Sequence, residues 1–140
     1  MKKIVSLLFA ALLTVSVFAV SYKNNTYQKL ADEYTKKAEI ALDAGQYEDA
    51  VEYSKKAEEN AELSKAYIQM MMARGNAEDA IKMAKNQIAW AEKIDAPNIY
   101  PMAYTAGKDN IDHADYSFGE EDYPQATNYA KQALAALDGI

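Results

Sequence analysis

The chain has no cysteine, one arginine, one histidine, one tryptophan, three prolines and five glycines in 140 residues. Without cysteine there is no disulfide framework, no thiolate nucleophile and no sulfur-ligated zinc or iron–sulfur site. With Arg74 as its sole arginine and a formal net charge of −6, the chain offers no basic patch. Such a surface repels nucleic acid and anionic lipid head groups, so neither is expected as a partner. Few prolines and glycines leave long stretches free to stay helical. No stretch alternates apolar and polar residues as a half-buried strand would.

One apolar run is present, at the N-terminus. Lys2 and Lys3 precede Ile4 to Val17, and Val17-Phe18-Ala19 follows. A charged lead, an apolar stretch and a small-x-small site read as a secretory signal peptide. Residues 1–19 are expected to be cleaved after Ala19, or alternatively after Ser21, leaving a helical domain over 20–140. An uncleaved anchor is the other reading, although the run is short against the ~20 residues a bilayer demands. Anchorage through that run would be the chain's one expected membrane contact. No cysteine adjoins the site, so a lipoprotein is not expected. Export without cysteine suits a periplasm.

The remainder reads as an all-α fold of about five helices. Tyr27, Ala31, Tyr34, Ala38 and Ala41 recur by threes and fours, placing them on one helical face before Gly45. A second seam runs through Tyr47, Ala50, Ser54, Ala57, Ala61, Ser64, Ile68 and Met71 to an expected stop at Arg74-Gly75. One long helix over this span is favoured over a pair broken between Asn60 and Ser64. A third carries Ala77, Ala80, Ile81, Ala84, Ile88 and Ala91, ending before Pro97, which disfavours helix in the residue preceding it. A fourth starts near Pro101 with Tyr104, Gly107, Ile111, Ala114 and Phe118. The fifth carries Tyr123, Ala126, Ala130, Ala133 and Leu137. Short connections make successive helices antiparallel. The seams are mostly Ala and Ser, which lets helix axes approach closely and leaves dispersion between backbones as the main packing term.

The stretch AEIALDAGQYEDAVEYSKKAEENAE, from Ala38 to Glu62, returns in altered form from Gly75 and from Glu121. Fixed-unit repetition marks stacked helical architectures. Gly45, Tyr47, Ala50 and Ala57, with Tyr34 and Ala38 before them, resemble a tetratricopeptide unit. The match is degenerate: Glu62 stands where the unit closes with Pro, Ala77 replaces Tyr in the second copy, and Glu121 replaces Gly in the third. The chain thus resembles a short, degenerate tetratricopeptide-like bundle of stacked antiparallel hairpins. It also resembles the Ala-rich helical part of spirochaete envelope proteins that carry a peptidoglycan-binding LysM module. That likeness rests on Tyr22-Lys23-Asn24-Asn25, Ala61-Glu62-Leu63-Ser64, and Ala96-Pro97 through Ala136. No LysM-like stretch occurs in the 140 residues. The resemblance implies a place in the cell envelope.

Candidate chemistry is sparse. Asp109, Asp112, His113 and Tyr116 share one side of the fourth helix, and a carboxylate–histidine pair can move protons or hold a metal. An exposed acidic face with one histidine on it explains them more simply. Phosphate loops, nucleophile elbows and calcium-loop spacing are missing. The chain is therefore expected not to be an enzyme, and to use no metal or cofactor. Met70-Met71-Met72 point in three directions on a helix and cannot form one ligand set. Tyr67, Met71, Trp90, Tyr100 and Tyr104 are the candidate binding residues, since Tyr and Trp join an apolar body to a polar handle. Protein–protein interaction or scaffolding with an envelope protein or peptide segment is the expected role. The alternative is carriage of a small apolar or aromatic ligand in a Tyr/Trp/Met-lined cavity.

Overall fold

The computed structural model of the chain describes residues 22–140. The expected signal peptide, residues 1–19, lies outside them. Five helices follow: α1 (Thr26–Asp43), α2 (Tyr47–Lys93), α3 (Ala96–Ile99), α4 (Pro101–Gly119) and α5 (Tyr123–Leu137). No strand occurs among the described residues. The all-α fold of about five helices read from the seams is the one observed, but its division differs.

Gly75 does not stop a helix. α2 runs unbroken for 47 residues through both expected helices and past Asn60–Ser64. Gly75 is not in the left-handed region that ends a helix; among the glycines only Gly45 is. A glycine inside a helix costs about 0.5–1 kcal/mol relative to Ala, too little to end one whose apolar stripe continues. Arg74 Nε bonds Glu78 Oε1 at 3.0 Å across it. The fifth helix arises elsewhere: Asp95, at φ 61°, turns the chain out of α2, and Ala96–Ile99 forms a single turn ahead of Pro101.

The described residues up to Met72 form one compact unit, and Ala73–Ile140 form another. α2 contributes to both. In the first unit, α1 lies antiparallel to the N-terminal part of α2. Tyr27 meets Tyr67 and Tyr34 stacks on Tyr53, each pair with ring centroids 6.2 Å apart. Asn25 caps α1, its Oδ1 accepting from the Gln28 N–H at 3.0 Å. Its Nδ2 donates to buried Ser64 Oγ at 2.9 Å, and Ser64 donates in turn to Gln28 Oε1 at 3.3 Å. The hydroxyl buried in this seam is therefore fully partnered, as a buried polar group must be to avoid a desolvation penalty.

α1 ends in a left-handed cap. The Gly45 N–H donates to Leu42 O (3.1 Å) and the Gln46 N–H to Ala41 O (2.8 Å), which satisfies the last carbonyls of the helix. The buried side chains of the hairpin are Ala31, Ala41, Ala50, Ala57 and Ser64. Of the expected α2 seam, Tyr47, Ser54 and Ala61 are exposed instead. One partner helix buries only the stripe Ala50, Ala57, Ser64; Ile68 and Met71 are half-buried, and Tyr47 and Ser54 line an open groove beside α1.

The second unit packs the C-terminal part of α2, α4 and α5 around one core. Ala77, Ala80, Ile81 and Ala84 from α2 meet Ile111 and Ala114 from α4 and Tyr123, Ala126, Ala130 and Ala133 from α5. Ala91, Ala96 and Leu137 form a smaller cluster, with Tyr104 and Ile88 against it. Every residue expected on these three seams is buried or half-buried. α4 and α5 approach so closely at Gly107 that a β-carbon there would lie 2.7 Å from Leu137 Cγ.

Candidate functional site

The first unit carries an open groove. Its hairpin leaves a groove of about 670 Å³, walled by Thr35, Ala38, Glu39 and Leu42 from α1 and by Tyr47, Ala50, Val51, Ser54, Lys55, Ala57 and Glu58 from α2. The helices position these side chains by periodicity: Ala38 and Leu42 are a turn apart on α1, while Tyr47, Ala50/Val51 and Ser54 climb one side of α2. The alanines form the floor. Leu42, Tyr47 and Val51 stand at the sides with 56%, 68% and 71% of their surface exposed. Apolar side chains this open and this close together mark an interaction surface more often than a bare one.

Charge lies along the rim rather than in the floor. Glu39 has no ion-pair partner among the described residues. On α2, Lys56 Nζ pairs with Glu52 Oε1 at 2.7 Å. The hydrogen bond from Lys56, and then its charge, hold the Glu52 carboxyl below the usual glutamate range. The same bond raises the Lys56 ammonium. Lys37 and Lys56 sit over the Tyr34 ring at 5.1 and 5.7 Å. A second, smaller groove of about 490 Å³ is lined by Lys23, Gln28, Ala61, Ser64, Lys65, Ile68 and Gln69.

The five residues singled out from sequence do not share a site in either unit. Tyr67, half-buried, packs on Tyr27, and Met71 is half-buried farther along α2. Trp90 and Tyr100, in the second unit, are exposed. Tyr104 is half-buried there, and its hydroxyl donates to Glu92 Oε1 at 2.8 Å. That bond to a carboxylate holds the phenol above its ordinary range. None of the five lines either groove.

His113 is exposed and stacks on Tyr129, ring centroids 5.1 Å apart. No group of three metal-ligating side chains gathers among the described residues. Besides the polar Thr35, Glu39, Lys55 and Glu58, the groove residues that sequence reasoning passed over are Leu42 and Val51. Their signal was present: both are large apolar residues lying off the three-four seam of their own helix.

Among the described residues no helix is long and apolar enough to cross a membrane. No protein-family model matches the chain, and no solved structure does. The chain is similar to Treponemal membrane protein B of Treponema pallidum (strain Nichols), with 35% identity over 124 residues. The match takes in 89% of this chain and 38% of that protein, so the chain spans well under half the length of the relative.

Proposed function

We propose that this is a non-catalytic envelope protein whose tetratricopeptide-like hairpins hold or scaffold another envelope protein, on the periplasmic side of the inner membrane. The observation that carries this reading is the exposed apolar row Leu42, Tyr47 and Val51 beside an alanine-floored groove. Surfaces of this kind bind helices or extended segments of other chains. The relative named as a treponemal membrane protein supports the envelope setting.

The test is affinity capture from a cross-linked envelope fraction of the source cell, with the chain as bait. A defined protein enriched over an unrelated helical bait is the expected outcome. Recovery equal to that of the unrelated bait would overturn the interaction role.

A further inference from the structure

The two left-handed turns let one hairpin be laid on the other. Glu121 has φ 61°, as Gly45 has 73°, and it closes α4 with the same pair of bonds: Glu121 N–H to Phe118 O at 3.1 Å and Asp122 N–H to Ser117 O at 2.9 Å. Counting outward from these turns, Ala38 corresponds to Ala114, Leu42 to Phe118, Tyr47 to Tyr123, Ala50 to Ala126 and Ala57 to Ala133. The second members of these pairs are the face that α4 and α5 bury against Ala77, Ala80, Ile81 and Ala84 of α2. The first members line the open groove. Tyr123 is 7% exposed and its counterpart Tyr47 is 68% exposed.

The rim charges correspond as well. In the second unit, Lys85 of the covering helix pairs with Asp115 of α4 at 2.8 Å. The counterpart of Asp115 is Glu39, an acid on the groove wall with no ion-pair partner among the described residues.

We infer that the groove receives an α-helix of a partner protein, built like Ala77–Lys85. That helix presents an alanine stripe with one β-branched residue, spaced Ala-x-x-Ala-Ile-x-x-Ala, followed at once by a lysine for Glu39. The small stripe lets the helix settle between Ala38 and Ala50. Leu42, Tyr47 and Val51 close over its flanks. The assignment rests on the interaction role proposed above and names its site and the chemistry of its partner.

A fluorescein-labelled peptide spanning residues 73–93 of this chain is the probe, titrated by fluorescence anisotropy against the full 140-residue chain in mild detergent. Saturable binding is expected, with a dissociation constant on the order of 100 µM because a free peptide of this length must fold as it docks. Val51→Lys, exposed in the free protein, weakens binding at least ~10-fold, and so does Glu39→Lys. A probe carrying Lys85→Glu restores affinity to the Glu39→Lys protein. Binding that Val51→Lys leaves unchanged, or no binding at millimolar probe, overturns the groove assignment.

Two further outcomes also overturn it. A self-associated chain that Val51→Lys turns into monomers on sedimentation gives the groove to a second copy. Tighter probe binding after removal of residues 1–19 gives it to the chain's own apolar run. Envelope capture repeated with Val51→Lys bait separates the two levels: an envelope protein recovered undiminished leaves the interaction role standing while the groove assignment falls.

Discussion

Two hairpins with matching turns meet different fates within one chain. α4–α5 is closed over by the C-terminal part of α2, which buries Tyr123 and the alanines beyond it. α1 with the N-terminal part of α2 is a hairpin of the same design, and its corresponding face stays open as a groove. A helical hairpin whose seam is alanine gains little from two helices alone, because each methyl buries little area. The third helix is what makes that seam a core. The same seam without a third helix stays open as a groove.

The sharpest way to break this comparison is to enlarge matching alanines. Ala133→Leu puts three extra carbons into a site with no exposure, and should cost about 2–3 kcal/mol in urea denaturation. Its counterpart Ala57→Leu grows into the groove and should cost less than ~1 kcal/mol. Equal losses would mean that the groove has no room, and the two hairpins would then be packed alike.

The turns offer a second, smaller contrast. A side chain at a left-handed position costs about 1–2 kcal/mol. Gly45→Ala should therefore destabilise by about 1 kcal/mol, while Glu121→Gly should stabilise by up to ~1 kcal/mol, the extra freedom of glycine in the unfolded chain offsetting part of the gain. Thermal melts of the two variants should shift in opposite directions. Shifts of the same sign would show that Glu121 is held by something other than the cap it shares with Gly45.

Much of the second unit was legible in its sequence because three helices share one core. When both flanks of a seam are covered, spacing alone finds the buried positions, and Ala126, Ala130, Ala133 and Leu137 are all buried as spaced. In the first unit the same rule over-reads. Tyr47, Ser54 and Ala61 keep the spacing, yet they face a side that no described helix covers. Spacing reports which residues could be buried together, and a partner decides whether they are. Gly75 misled for a related reason: glycine is compatible with a helix end but ends one only when the backbone turns left-handed, as at Gly45. The groove was hidden because its floor is ordinary alanine seam, and only the off-seam Leu42 and Val51 betrayed it.

Glycines inside helices give a third test with opposite signs. A β-carbon at Gly75 meets nothing within 4 Å, so Gly75→Ala should gain about 0.5–1 kcal/mol from helix propensity. Gly107→Ala has the same propensity gain but drives its methyl into Leu137 at 2.7 Å, and crowding of about 1–3 kcal/mol should leave a net loss near ~1 kcal/mol. Chemical denaturation reads both. A gain at Gly107 would mean that Leu137, at the end of α5, yields more readily than the tight α4–α5 contact implies.

The smallest expected effects come from pH, and they again distinguish the units. Glu52, in the first, has a carboxyl lowered by its bond from Lys56. A lowered carboxyl adds stability above its unfolded value and loses it as pH falls through the folded one. Tyr104, in the second, has a phenol raised by its bond to Glu92. A raised phenol adds stability below its unfolded value and loses it as pH climbs through the folded one. Lys56, also raised, follows the alkaline pattern. Acid should therefore loosen only the 22–72 side of this set, and alkali should loosen both. Both hydrogen bonds are exposed to solvent, so the changes are small and best read residue by residue by NMR titration. Lys56→Met should return the Glu52 titration to the ordinary glutamate range and leave the second unit unmoved. Tyr104→Phe should remove the alkaline response near Glu92 while the Lys56 response persists. A Tyr104→Phe protein whose Glu92 region still responded at high pH would place the alkaline sensitivity somewhere other than this hydrogen bond.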